Sequence, residues 1–344
     1  MTDGVAERVL DALEPRRAAV NAALDEALPV TPPERLYEAS RHLLEAGGKR
    51  LRPAIVLLAA EAVADVEPGS RDYRAFPDAD GRPVDVMTGA MAVEVVHLFT
   101  LIHDDIMDDD DLRRGVPAVH RAYDLETAIL AGDTLYSTAF EILLDAGTPP
   151  ERTTRGLRLL ARTCTEICEG QAYDVGFESR SDVGLEEYDE MVRLKTAVLF
   201  GAAAAVPAVL LGADDAAVDA LRSYGVKVGR AFQIHDDVLD LTVSSDALGK
   251  RRGSDLVEGK RTLITVHASQ QGVDVDGLLP DGEVSDDDID EAVAALEAAG
   301  SLDYARERAH DLAADGVAEL EALPANAARD RLEDLGVYLV ERGY

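Results

Sequence analysis

The chain has 344 residues, 67 acidic against 34 basic, for a net charge of −33, and 47% of it is apolar. That length and apolar content suit a globular protein with a sizeable core. The charge argues against a nucleic-acid binder, because a phosphate backbone would be repelled except by a local basic groove.

Only five basic residues are lysine, namely Lys49, Lys195, Lys227, Lys250 and Lys260; the rest are arginine. Abundant Asp and Glu with lysine replaced by arginine matches a protein from a salt-loving organism, where salt screens self-repulsion. Each remaining lysine therefore needs a reason to be there.

The opening "MTDGVAERVLDALEPRR" is acidic and amphipathic, unlike a signal peptide. "PERLYEASRHLLEAG" repeats apolar residues at three- and four-residue spacing and predicts a helix. "GGKRLRP" (47–53) follows with Lys49, Arg50 and Arg52 behind a double glycine. Residues 66–85 carry Pro, Gly and Asp and read as a loop, including "DGRPVDVMTG", the nearest approach to strand alternation. "TTRGLRLLARTCTEICEGQAYDV" is helical again. Its Cys164 and Cys168 read as small buried core residues, which fits a reducing cytoplasm. "AVLFGAAAAVPAVLLGA" (197–213) is short, Ala-rich and interrupted by Pro207, a buried core helix rather than a membrane span. Residues 271–287 read as a second loop, and "DIDEAVAALEAAGSLDYARERAHDLAADGVAELEAL" as helix. Neither loop is long or biased enough to be a domain linker. The expectation is one all-helical domain over 1–344, cytoplasmic and without a transmembrane segment.

"LIHDDIMD" (101–108) recurs as "QIHDDVLD" (233–240), each behind an apolar helical stretch. Asp104 and Asp108 are four apart and share a helix face, as do Asp236 and Asp240. Like charges at that spacing repel, so two facing pairs call for a cation between them. Mg²⁺ suits them, because it takes one or two carboxylates and completes its octahedron with water and phosphate oxygens. Asp109, Asp110 and Asp111 read as solvated surface. Arg113 and Arg114 follow the first pair as guanidinium forks able to bind a chelated phosphate. His97 lies seven residues before Asp104, on the same stripe, and could donate to a phosphate. His103 and His235 point elsewhere on the wheel and read as packing or supporting residues.

"GGKRLRP", "VVHLFTLIHDDIMDDDDLRRG", "ILAGDTLYSTAFEIL", "EGQAYDV", "YDEMVRLKTAVLF", "GRAFQIHDDVLD" and "GKRRGSDLVEGKRT" together resemble the ordered motif set of the trans-isoprenyl diphosphate synthases, over about residues 39–266. The resemblance implies a helical bundle around a deep central cavity, Mg²⁺ (three ions with substrate bound) and a homodimer. It implies that Asp104, Asp108 and Asp236 hold the metal on the diphosphate of an allylic substrate (dimethylallyl, geranyl or farnesyl). Arg113, Lys195 and Lys260 would grip that diphosphate and Lys250 would close over it, while Thr196 and Gln233 would face the allylic cation with oxygen dipoles. Isopentenyl diphosphate would be held by Lys49, Arg52, His97 and Arg114. Gln171 and Asp174 match a further motif and are given supporting roles. Four of the five lysines thus fall at diphosphate-contacting positions; Lys227 has no role in this scheme.

In the family, bulk beneath the first aspartate motif governs product length. Phe99 stands five residues before Asp104, about 7.5 Å lower at 1.5 Å per residue, and Thr100 four before. A single aromatic there, without an insertion in "DDIMD", resembles the archaeal geranylgeranyl diphosphate synthases, which supply isoprenoid membrane lipids, with farnesyl diphosphate as intermediate or co-product. A simple helical wheel puts Thr100 nearer the aspartate stripe than Phe99, so Phe99 as floor rests on the resemblance, and ordinary core packing is its competing reading. A farnesyl or longer-chain synthase, a class I terpene cyclase, a non-catalytic synthase subunit and a divalent-ion-binding acidic protein are the alternatives. A cyclase would need no isopentenyl site, and such a subunit usually lacks one aspartate motif; both are intact here.

Overall fold

The apolar residues that recur at helical spacing are the ones the fold turns inward. The computed structural model describes residues 3–177, 180, 182–244, 252–280, 282 and 284–342. Helices α1 (Asp3–Ala27), α2 (Glu34–Glu45) and α3 (Leu51–Val63) lead into α4 (Met87–Met107), the short α5 (Val119–Ala122), α6 (Leu125–Leu144) and α7 (Pro150–Phe177). Then come α8 (Leu185–Val192), a π turn over Arg193–Ala197, α9 (Val198–Leu211) and α10 (Asp215–Thr242). The C-terminal part holds α11 (Ser254–Val257), α12 (Leu263–Gln270), α13 (Asp286–Ala298), α14 (Ser301–Glu319) and α15 (Ala327–Glu341). The expected long helix over 288–323 is two helices, broken at Ala299 and Gly300.

Extended structure among the described residues is confined to two small antiparallel pairs. Phe76–Pro77 pairs with Pro83–Val84 inside the loop at 66–85, and Leu112–Arg113 pairs with Val116–Pro117 just after the first aspartate motif. The second hairpin reverses the chain at Arg114, whose φ of 55° is left-handed.

Helix α9 is buried over its whole length. The continuous segment Leu185–Leu211 is long and apolar enough to cross a membrane, but 89% of its apolar window is buried inside the bundle, which makes it a core helix. Pro207 is accommodated there. Around α9 lies the main core, formed by α1–α4, α6, α7 and α10. A second core lies under α12–α14 and shares α10. Thus α10, which carries the second aspartate motif, borders both cores.

Two expectations need correcting. Cys164 is buried, and burial pushes its thiol up to about 12, but Cys168 is exposed. Asp110 is not free surface: it accepts from Arg113 at 2.7 Å. Asp109 and Asp111 are the solvated pair, each 82% exposed and bridged to Arg121. Lys227 gains a structural role, binding Glu319 at 2.6 Å and the Asp315 carbonyl at 3.3 Å, where its charge meets the C-terminal end of α14.

Candidate active site

The first aspartate motif closes α4, with Asp108 as the capping residue. Asp104 projects from the last turns towards Lys195, and burial, outweighing that lysine, raises its carboxyl to about 6. Lys195 binds Asp174 of α7 at 2.5 Å, and Lys260 stands 3.6 Å from Asp108 and 2.9 Å from Glu258. These carboxylates hold both lysines in the charged form. Lys195 and Thr196 lie in the π turn, a device common where a helix must re-aim side chains into a site. Gly170 of α7 makes room for it: a Cβ there would stand 2.2 Å from the Lys195 backbone nitrogen.

Beside this cluster a cavity of about 130 Å³ is lined by Asp174, Lys195, Thr196, Gln233, Asp237 and Lys260, among others. Thr196 donates its hydroxyl to Gln233 Oε1 at 3.1 Å, and Gln233 Nε2 donates to Asp237 at 2.9 Å. Tyr188 donates to the other Asp237 oxygen at 2.7 Å. Burial, helped by Asp255, pushes Asp237 up to about 8, against the pull of those two hydrogen bonds.

Against the adjacent face of α10 lies a second cavity of about 220 Å³, lined by Lys49, Arg52, His97, Arg114, Asp236 and Arg342, among others. Arg52 stacks on Phe200, 4.4 Å from the ring centre, and reaches His97 Nε2 at 3.3 Å. Burial, with Arg52 and Arg114 adding to it, keeps His97 neutral, and burial lowers Arg52 to about 10. Arg114 donates to the carbonyls of Gly47 and Leu43, which ties the end of α2 and the double glycine before α3 under it. Arg50, from the same basic stretch, borders this cavity but is tied down: it is buried against Glu94 at 2.6 Å and also binds Asn21 and the Leu44 carbonyl.

A third cavity, about 420 Å³ and mostly apolar, runs below Asp104 between α4 and α7; Phe99, Thr100, His103, Cys168 and Gln171 line it. Phe99 and Thr100 therefore share one wall, as the four- and five-residue offsets allow.

The anticipated residues thus fall into two groups. Lys195, Lys260, Thr196 and Gln233 line the first cavity, with Asp104 and Asp108 near its two lysines, and Lys49, Arg52, His97, Arg114 and Asp236 line the second. Asp236 does not join Asp104 and Asp108: it takes Arg342 as its counter-ion, and that arginine also lies over Phe232. Asp240 is buried and accepts from Ser254 at 2.9 Å, tying down the following turn. Arg113 is held by Asp105 at 2.5 Å and by Asp110. Lys250 lies outside the described residues. Sequence reasoning missed Arg342, Tyr188 and Asp237 and undervalued Asp174. "EGQAYDV" already carried the signal for Asp174, whereas nothing in "ERGY" marked Arg342.

Among the described residues no three carboxylate, histidine or cysteine side chains converge closely enough to cage an ion alone. A hard cation that binds through one or two carboxylates and borrows its other ligands from phosphate and water fits such a donor set.

The polyprenyl synthetase family model matches residues 33–296. The chain belongs to the polyprenyl synthetase family. It is a trans-prenyltransferase with the family's all-helical fold. The synthetase is 64% identical over 339 residues to the geranylfarnesyl diphosphate synthase of Natronomonas pharaonis, covering 98% of this chain and 99% of that relative. It superposes on the geranylgeranyl pyrophosphate synthetase of Geoglobus acetivorans with a TM-score of 0.86 at 45% identity, over 96% of this chain and 99% of that one. A polyprenyl synthase from Caulobacter crescentus, crystallised with calcium and isoprenyl diphosphate, superposes at 0.83 with 32% identity, over 98% and 97% of the two chains.

Proposed function

We propose that this synthetase condenses isopentenyl diphosphate head-to-tail with allylic diphosphates to give all-E geranylgeranyl diphosphate, with Mg²⁺ as cofactor and farnesyl diphosphate as intermediate. The observation that carries this reading is the pair of cavities against adjacent faces of α10, one with carboxylates facing Lys195 and Lys260, the other rimmed by Lys49, Arg52, Arg114 and Arg342. Two diphosphates of different roles need such unlike sites.

Asp104 and Asp108 would hold the metal on the allylic diphosphate, with Asp174 beside them and Asp236 reaching across once freed from Arg342. Bound Mg²⁺ supplies charge neutralisation for the departing pyrophosphate. Lys195 and Lys260 donate to the same oxygens, so the C–O bond breaks with its electron pair leaving on pyrophosphate. Arg113, braced by Asp105 and Asp110, keeps the aspartate turn in place. The Thr196 hydroxyl and the Gln233 carbonyl turn oxygen dipoles to the electron-poor carbon. Lys49, Arg52 and Arg114 grip isopentenyl diphosphate, and neutral His97, accepting from Arg52, has its other ring nitrogen to donate. The isopentenyl double bond attacks the cation, and the proton then lost passes to pyrophosphate.

The growing chain would enter the 420 Å³ cavity towards Phe99. A second reading, a product one five-carbon unit longer, draws support from the printed name of the Natronomonas relative. Calcium with isoprenyl diphosphate in the Caulobacter relative supports a divalent ion here. Exposed Leu125, Ile129, Tyr136 and Leu144 along α6 support a homodimer, which we place in the cytoplasm. The test is incubation with isopentenyl diphosphate, Mg²⁺, high salt and each allylic primer, followed by chromatography. A twenty-carbon main product is expected; a fifteen-carbon end product, or chains of thirty carbons and more, would overturn the length assignment.

A further inference from the structure

Of the first aspartate motif only Asp105 is fully buried, its side chain 0% exposed, and it leaves α4 about 100° round from Asp104. Its Oδ1 takes both Nε and Nη2 of Arg113, each at 2.5 Å, where a guanidinium fork more often spreads over the two carboxylate oxygens. With both bonds on one atom, Arg113 alone does not stop the carboxylate from swinging. Oδ2 is buried and has no hydrogen-bond partner among the described residues. The short helix α5 lies over the same turn. Ala118 and Val119 anchor it, the Ala118 N–H donates to the Asp111 carbonyl at 2.9 Å, and Arg121 bridges Asp109 and Asp111. Between them, His120 holds both ring nitrogens buried, again without a partner among the described residues. It lies close enough to Asp105 for its charge to bear on that carboxyl. A carboxylate oxygen short of a donor and an imidazole with an N–H to give are complementary, and buried polar groups are rarely left unpaired.

We propose that His120 is a positioning residue for the allylic diphosphate site: its ring N–H supplies, through one buried water, the donor that Asp105 Oδ2 lacks, and so fixes the carboxylate that aims Arg113. The proposal rests on the assignment of the carboxylate-and-lysine side to the allylic diphosphate. A single water is the usual bridge between buried groups that do not meet directly. Held at both oxygens, the Asp105 carboxylate cannot swing. Arg113 also spends Nη2 on Asp110, so among the described residues only Nη1 has no carboxylate partner, and that nitrogen is presented to substrate at a fixed place. His120 touches no substrate itself. Its influence runs through Arg113 alone, and Lys49, Arg52, His97 and Arg114 line their own cavity without it.

The experiment measures KM for farnesyl diphosphate and for isopentenyl diphosphate, at high salt, in wild type, His120→Phe, His120→Asn, His120→Gln, Arg113→Gln and the double variant His120→Phe/Arg113→Gln. His120→Phe is expected to raise KM for farnesyl diphosphate about tenfold and to leave KM for isopentenyl diphosphate within about twofold. An Asn amide reaches the place of Nδ1 and a Gln amide that of Nε2, so one of these two variants should restore the allylic KM and the other should not. In the Arg113→Gln background His120→Phe should add no further rise, because both act through one guanidinium. Equal rises in the two KM values, full additivity in the double variant, or the same allylic KM in His120→Asn and His120→Gln would make His120 a packing residue and overturn the proposal. A wild-type allylic KM in His120→Phe while Arg113→Gln raises it would also overturn the proposal alone. An unchanged allylic KM in Arg113→Gln would overturn the site assignment and the proposal with it. Should His120→Phe fail to fold, the difference between His120→Asn and His120→Gln decides by itself.

Discussion

Gln233 donates its amide N–H to Asp237 at 2.9 Å, and that bond decides which end of the amide faces Thr196 and the cavity. With Tyr188 donating to the other carboxyl oxygen, Asp237 acts as an acceptor on both sides. The second aspartate of "IHDDVLD" thus orients a dipole rather than facing the cation-rimmed pocket that Asp236 lines. In Asp237→Leu no acceptor is left for the Gln233 amide, so Gln233 is no longer held one way round. We expect kcat to fall roughly tenfold or more, at unchanged KM for isopentenyl diphosphate and unchanged Mg²⁺ dependence. A raised Mg²⁺ requirement would instead mark Asp237 as a metal ligand.

Lys49 and Arg50 are adjacent in sequence and opposite in role. Arg50 and Glu94 form an ion pair in which both side chains are almost wholly buried, 1% and 2% exposed. Arg50→Met leaves Glu94 as an uncompensated buried charge and should cost about 3–5 kcal/mol of stability by denaturant titration. Lys49→Ala should leave stability nearly unchanged and raise KM for isopentenyl diphosphate about tenfold, the loss of one charged hydrogen bond.

Arg342 joins the end of α15 to the second cavity, the proposed isopentenyl site, through Asp236, the Phe232 face and the His235 ring, which contacts its carbonyl at 3.0 Å. Arg342→Ala should raise KM for isopentenyl diphosphate about tenfold with little change in kcat. Steady-state kinetics with the allylic substrate saturating would check this, and an unchanged KM would assign Arg342 to packing alone.

The net charge of −33 also has a cost. Salt shortens the Debye length from ~10 Å at about 0.1 M to ~3 Å at about 1 M, which weakens exposed ion pairs and the general repulsion together. With acids outnumbering bases 67 to 34, the repulsion is the larger effect. Calorimetry should therefore find Tm rising by at least ~5 °C over that range of KCl; a fall would mean that the surface ion pairs dominate.

Helical periodicity made most of the fold legible, because burial at three- and four-residue spacing is what holds α2 and α7 in place, while α9 showed as a continuous apolar run. The same periodicity could not resolve the break at Gly300 or the two-residue strands, which depend on local backbone geometry. At the site, the repeated aspartate motif and the retained lysines marked residues that line or border two cavities beside α10. The sequence could not say which member of each pair points where. Asp236 and Asp237 leave adjacent faces of α10, about 100° apart, and Arg50 is taken up by Glu94 whereas Arg52 reaches His97. Arg342 was invisible because its partner lies 106 residues away.

Asp104 faces Lys195 on one side and tops the apolar cavity on the other. The decisive measurement is consumption of isopentenyl diphosphate with farnesyl diphosphate and Mg²⁺ by wild type and Asp104→Asn, with helicity followed by circular dichroism. The account predicts a twenty-carbon diphosphate from wild type and a loss of about a hundredfold or more in the variant at unchanged helicity. Full turnover by Asp104→Asn, or a wild type that releases pyrophosphate and a cyclic product without consuming isopentenyl diphosphate, would contradict it.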